Sequence, residues 1–186
     1  YEPSLEGPTR VTARAVTVGP EATFWKERFA DVDAPRRRMF LEMIYNKLFP
    51  GLVVDSLDFP DLESARLPFC AEFSLRIRSF LSPQGERFSC PLGLMPLKLQ
   101  TAFVSEAKRK LPIHLEEPYG SRSRSAVKLP EGTRCARLPE GLTLQSGFGT
   151  YSLAFARGAD PAGGETIEAT RTYLIPPQAV APADYP

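Results

Sequence analysis

Histidine and tryptophan each occur once in this 186-residue chain, and cysteine and methionine three times each. With a single imidazole, and with cysteines at 70, 90 and 135 that form no Cys-x-x-Cys pair, the usual ligands of a zinc cage cannot be assembled. No metal and no other cofactor is expected. Three widely spaced cysteines also leave the redox compartment unread, because one bridge such as Cys70 to Cys90 would still leave a thiol. An excess of charge of either sign is missing too. The formal net charge is +1, so no global field draws the chain to nucleic acid or to an anionic membrane. No apolar run approaches the roughly 18 residues of a transmembrane helix, and no charged stretch leads into an apolar signal core at the N-terminus. The chain is expected neither to span a membrane nor to carry its own export signal. Its start at Tyr1 reads as a processed or excised piece of a longer polypeptide.

What is present is enough apolar residue, 42% of the chain against 24% charged, to build the core of one ordinary domain or two small ones. Nineteen Pro and thirteen Gly promise many turns without reaching the level of low-complexity disorder. Thr9–Val18 alternates like a half-buried strand, and beyond the Gly19-Pro20 turn Thr23–Phe29 continues as an aromatic-rich extended run, giving a hairpin. From Asp33 the period changes. Pro35 suits a first helical turn, Phe40, Ile44 and Leu48 recur at helical spacing, and Pro50-Gly51 stops the run, so a helix is predicted at about 35–49. Leu52–Phe59 reads as a short strand. Leu67–Leu81 is the clearest strand, with Phe69, Ala71, Phe73, Leu75 and Ile77 on one face and Glu72, Ser74, Arg76 and Arg78 on the other. Pro83-Gln84-Gly85 turns it into a returning strand over Arg87–Leu92, whereas Leu97–Lys110 fits neither period.

Beyond residue 110, extended runs recur at Leu111–Glu117, Arg122–Leu129, Thr133–Leu138, Leu142–Ser146, Tyr151–Arg157 and Glu165–Ile175, with turn signals between them. The fold class this predicts is mainly β: an antiparallel β-sandwich with one short α-helix, a single domain over 1–186 with a subdivision near 105 left open. The tail from Pro176 to Pro186 reads as a linker or an element cut short.

Chemistry-bearing groups are sparse. Any Ser-His or Cys-His pair must use His114, which alternates with Ile113 and Leu115 and so faces away from them. The one triad the sequence allows is Cys135-His114-Glu116, with Arg134 and Arg137 flanking the thiol. Gly147-Phe148-Gly149 lacks the Lys and following helix of a phosphate loop and reads as a turn or bulge. Contact residues are better represented. Arg36, Arg37 and Arg38 crowd the first helical turn, where the macrodipole disfavours cations, which reads as a solvated helix end compensated by a local carboxylate such as Asp31 or Asp33, or as a docking patch for another domain. Arg122 and Arg124 share a strand face with Lys128 further along it and Tyr119 nearby, a surface for acidic or polysaccharide ligands or simply a solvated outer face. Trp25, beside Phe24 and Phe29, is either a sugar-stacking platform or a buried anchor.

The order of small motifs carries a resemblance. Phe59-Pro60-Asp61-Leu62 precedes Leu67-Pro68; Arg109 precedes Leu111-Pro112-Ile113 and Pro118-Tyr119; Leu129-Pro130-Glu131-Gly132 precedes Leu138-Pro139. Gly147-Phe148-Gly149-Thr150-Tyr151 follows, then Arg171 with Ile175-Pro176 and Tyr185. Over essentially its whole length the chain resembles the C-terminal β-rich region of bacterial transglutaminase-like proteins, which join an uncharacterised N-terminal β-domain to a papain-like core. The Gly7–Phe29 run resembles the stretch just after that core. The resemblance implies a non-catalytic accessory domain that packs on or orients an upstream catalytic domain, in the periplasm or at the cell surface. It carries no catalytic residue over: His114 is followed by Leu115-Glu116 instead of a small residue and Trp, and Trp25 is remote. The alternative function is an independent β-sandwich module binding glycan or peptide through Trp25 or the Arg122/Arg124 face.

Overall fold

Strict alternation between Phe69 and Ile77 sets the architecture of the N-terminal half, because the apolar set can leave water only if a second layer covers it. In the computed structural model, which describes residues 1–91, 93–94, 110–159 and 164–184, the chain divides into two compact units, 1–91 and 92–186. Among the described residues 45% lie in strands and 16% in helices, and the sheets are antiparallel, as the mainly β reading requires.

In the first unit β1 (Thr9–Thr17), β2 (Val53–Asp58) and β3 (Phe69–Ile77) form an antiparallel sheet in the order β1-β3-β2. Phe69, Ala71, Phe73, Leu75 and Ile77 are buried on one face together with Val11 and Val54. The other face is polar and ion-paired. Arg14 lies opposite Glu72 with its Nε 3.2 Å from the carboxylate, the Oγ atoms of Ser56 and Ser74 are 2.6 Å apart, and Arg76 reaches Asp55 at 2.8 Å. Cys70 is buried on this polar side, its Sγ accepting from Arg14 Nε at 3.4 Å. A short hairpin follows, β4 (Ser82–Gln84) with β5 (Arg87–Ser89); the returning strand is present, but its partner is Ser82–Gln84 and not the Leu67–Leu81 run, whose strand ends at Ile77.

Two helices occupy the region between β1 and β2, where one was expected. The run around Trp25 is not the second strand of a hairpin but helix α1 (Pro20–Ala30). Its aromatics invite a β reading, yet Pro20 opens the first turn, Glu21 and Arg28 suit the two dipole ends, and the buried residues Ala22 and Phe29 are seven positions apart, two helical turns. Helix α2 (Ala34–Asn46) matches the predicted 35–49 apart from its end, since residues 47–51 turn away. Asn46 explains the stop: its amide donates to the Glu42 and Leu52 carbonyls while its Oδ1 accepts from the Gly51 N–H. Within α2 the buried residue is Tyr45, 9% exposed, and Glu42 accepts from the Val54 N–H; Leu48, expected on the helical stripe, lies past the helix end and is 37% exposed.

The second unit contains β6 (Ile113–Leu115), β7 (Tyr119–Lys128), β8 (Leu142–Ser146), β9 (Gly149–Ala159), β10 (Glu165–Ile175) and β11 (Gln178–Val180). Four of them make a sheet in the order β7-β10-β9-β8, and β11 pairs with β6. Val127, Ile167, Ala169 and Tyr173 are buried on one face of the larger sheet. One expected strand is absent here: Thr133–Leu138 is irregular, its entry fixed by Thr133 Oγ1 donating to the Pro130 carbonyl. The tail, read as a linker or an element cut short, holds the strand Gln178–Val180 paired with Ile113–Leu115 and a 3-10 turn at Pro182–Asp184. The ambiguous segment Leu97–Arg109 and Tyr185 lie outside the described residues.

Candidate functional site

The three arginines that open α2 are each engaged within the first unit. Asp33 caps the helix by accepting from the Arg36 N–H at 2.9 Å, and its other oxygen lies 3.6 Å from Arg36 Nε. That is the local carboxylate the sequence demanded. Arg37 goes elsewhere: its Nη2 donates to the Phe29 carbonyl at 2.8 Å and lies 3.5 Å from that of Ala30, at the C-terminus of α1, while the guanidinium sits 5.5 Å from the Phe59 ring centre. A cation disfavoured at the start of one helix thus serves the negative end of the other. Arg38 donates to the Asp55 carbonyl on β2.

Trp25 lies in a cluster of rings. Its centroid is 5.2 Å from Phe24, 5.8 Å from Phe29 and 6.3 Å from both Phe40 and Phe69, and Phe29 stacks on Phe59 at 4.8 Å. With rings on this many sides the indole is half-buried as an anchor; the outer ring of the group is Phe24, 54% exposed. Lys26, next to it, donates to the Ser64 and Leu67 carbonyls and holds the loop before β3 against α1.

In the second unit Arg122 and Arg124 do share one sheet face, but Tyr119 does not join them. Strand alternation puts Tyr119 on the opposite face, where its ring lies 5.9 Å from that of Tyr173. Arg124 Nη2 bonds both oxygens of Glu168, at 2.7 and 2.9 Å. That hydrogen bond, then the carboxylate's charge, raises its pKa and fixes it as a cation. Arg122 has no ion pair or side-chain hydrogen bond among the described residues. Its row across the sheet is Arg122, Thr172, Ser152 and Thr143, and the adjacent row is Arg124, Thr170 and Ala154. A row of small, hydroxyl-bearing side chains with a cationic border results. Sequence reasoning found the arginines and missed the hydroxyl row. With Arg122 its members come from four strands whose spatial order, β7-β10-β9-β8, is not their order in the chain.

The chemistry-bearing trio is not brought together by any hydrogen bond among the described residues. His114 lies on β6 opposite Ala179 and is exposed. Cys135 N–H donates to Glu165 Oε2 at 2.8 Å, and the other oxygen of Glu165 lies 3.4 Å from Arg157. No disulfide joins Cys70 to Cys90. No group of three His, Cys, Asp or Glu side chains with metal-binding geometry occurs among the described residues. Gly147-Phe148 is the β8–β9 turn, and Gly149 is where the chain needs glycine: its φ is +152°, and a Cβ there would lie 2.4 Å from the Leu174 carbonyl oxygen.

A search of curated proteins and a search of solved structures each returned no match. A family model does match residues 90–186, that of a domain of unknown function with a solved structure, DUF3858. The matched residues coincide closely with the second compact unit, so the sheet bearing Arg122 and its hydroxyl row lies within the family's domain. The match covers just over half of the chain, which belongs to the DUF3858 family.

Proposed function

We propose that this chain is a non-catalytic accessory and interaction module of a transglutaminase-like protein, packing on or orienting a papain-like core encoded upstream, in the periplasm or at the cell surface. The observation that carries the reading is where its chemistry-bearing residues lie. The imidazole is on a two-stranded ribbon, the main-chain N–H of Cys135 is held by Glu165, and the arginine triple braces two helices and a strand. The ordered motif series supports the family. Its test is the reading frame ahead of Tyr1, followed by an assay of amine incorporation into a glutamine-containing peptide by the upstream core with and without this chain. A core bearing Cys, His and Asp, with activity or substrate affinity that falls when the chain is removed, is expected; a frame without such a core overturns the proposal. By itself the chain is expected to turn over neither an activated ester nor an amine-donor mixture. Turnover lost in both Cys135→Ala and His114→Ala would refute that.

A second reading, glycan or peptide binding by the module itself, is favoured by one observation: among the described residues Arg122 stands without a partnering carboxylate beside the Thr172-Ser152-Thr143 row. Saturable binding on a glycan or peptide array, abolished in the Arg122→Ala/Arg124→Ala double variant, would favour it over the first.

A further inference from the structure

Every open sheet has edges, and an edge strand presents unpaired N–H and C=O groups that template pairing with another chain unless charge, proline, a bulge or a cover blocks them. The edges of the two larger sheets differ in this respect. β1 carries Arg10 and Arg14, and Glu2 pairs with Arg10 across its outer side. β2 carries Asp55 and Asp58 and has a bulge between Val54 and Ser56. β7 carries Arg122, Arg124 and Lys128. β8, Leu142-Thr143-Leu144-Gln145-Ser146, has no charge, no proline and no bulge, and all five residues are exposed. Leu142 is 46% and Leu144 55% exposed. Among the described residues nothing pairs with its outer side.

We propose that β8 is a strand-addition edge whose occupant is β8 of a second copy of this chain, paired antiparallel about a two-fold axis through Leu144. Charge selects this occupant. An antiparallel self-pairing of β7 or β1 places arginines beside arginines, and one of β2 gathers aspartates, whereas β8 meets itself with no like charges opposed. The register that pairs all five residues sets Leu144 opposite Leu144, Thr143 opposite Gln145 and Leu142 opposite Ser146. Alternation keeps the leucines of both copies on the face that holds Tyr151 and Leu153, their partners on β9. The apolar row therefore continues across the axis, and the four-stranded sheet becomes one of eight with β7 as both outer strands. A five-residue contact is small, so the dimer is weak and dependent on concentration.

The experiment is sedimentation of the 186-residue chain from low to high micromolar concentration, for wild type and Leu144→Lys, with circular dichroism to confirm that the variant folds. Wild type should shift from monomer to dimer, and two lysines opposed at the axis should weaken association by about tenfold or more. Cross-linking supplies a readout that does not depend on that variant. In a Cys90→Ser/Cys135→Ser background, Leu144→Cys should form an intermolecular disulfide under mild oxidation. Leu142→Cys should not, unless mixed with Ser146→Cys chains. Wild type that stays monomeric throughout, a dimer indifferent to Leu144→Lys, or cross-linking at position 142 in preference to 144 would each overturn the proposal. So would a monomer that captures an extended leucine-containing peptide, since the edge would then accept a strand other than its own.

Discussion

Replacing Phe73 with alanine tests whether the alternating face of β3 is the core of the first unit. The ring is 7% exposed in the central strand, flanked by Ala13 on β1 and Leu57 on β2, with the Tyr45 ring 5.9 Å away. Ala13 is too small to refill the space, and Tyr45 is already buried, so the cavity persists and the loss should be about 3–5 kcal/mol. A domain of this size has a total stability on the order of 5–14 kcal/mol, so the variant removes a large share of it, equivalent to a fall of about 2 M in the urea midpoint. The assay is specific to the unit. Trp25 is the chain's sole tryptophan and lies within residues 1–91, so its fluorescence follows that half while far-ultraviolet circular dichroism follows both. The Trp25 transition should move and the remaining transition should stay. Val16→Ala, at a position 54% exposed, is the control and should cost less than about 0.5 kcal/mol. A Phe73→Ala loss below about 1 kcal/mol would place this face outside the core and refute the assignment.

Burial pushes the Tyr45 hydroxyl up to about 12 from its ordinary value near 10. Its contribution is intact below pH 10 and is lost as pH climbs towards 12, by about 1.4 kcal/mol per unit; Tyr45→Phe should flatten that alkaline decline in urea titrations followed by Trp25. Arg37→Ala should cost about 1.5–3 kcal/mol through the lost charged hydrogen bond at the end of α1. Arg37→Lys should recover only part of this, because an ammonium cannot both reach the carbonyls and keep its charge over the Phe59 ring; equal stability of the two variants would dismiss the bracing role. Gly149→Ala should destabilise the second unit by about 2 kcal/mol or more, through a backbone clash that no side-chain movement relieves. The measurement is a circular dichroism melt in which the Trp25 transition serves as the internal reference.

Alternation was a good guide in β3 and β10, and Phe73 and Ile77 are buried as it requires; β8 and β9 lie where extended runs between turn signals put them. The reading failed where two signals compete. Phe24, Trp25 and Phe29 have high β propensity, but the Pro20 start and the spacing of Ala22 and Phe29 won, since tertiary burial outweighs propensity. Thr133–Leu138 has an extended composition but pairs with no strand among the described residues, and composition alone does not supply a partner. The arginine triple was legible as a problem in electrostatics and half-legible in its solution: Asp33 is adjacent in sequence, whereas the α1 carbonyls that take up Arg37 are defined only by a helix the sequence reading missed. The Arg122 surface was half-visible for the same reason, because strand order is a property of the assembled sheet.

The sheet orders have a consequence for how the protein is made. In β1-β3-β2 the central strand is the last of the three to be synthesised, and in β7-β10-β9-β8 the strand joining β7 to the β8–β9 hairpin is the last of the four. Neither β1 nor β2 has its partner until Phe69–Ile77 leaves the ribosome, and β7 waits in the same way for Glu165–Ile175. Each half therefore holds open strands during its own translation and closes in a late step over long sequence separations, the slow class of folding. During that interval the charges on β1 and β7 keep the waiting strands from pairing with one another's copies. Truncation just before residue 69 should accordingly leave the first unit unable to close, and truncation just before 165 should leave 1–91 folded with the second unit open.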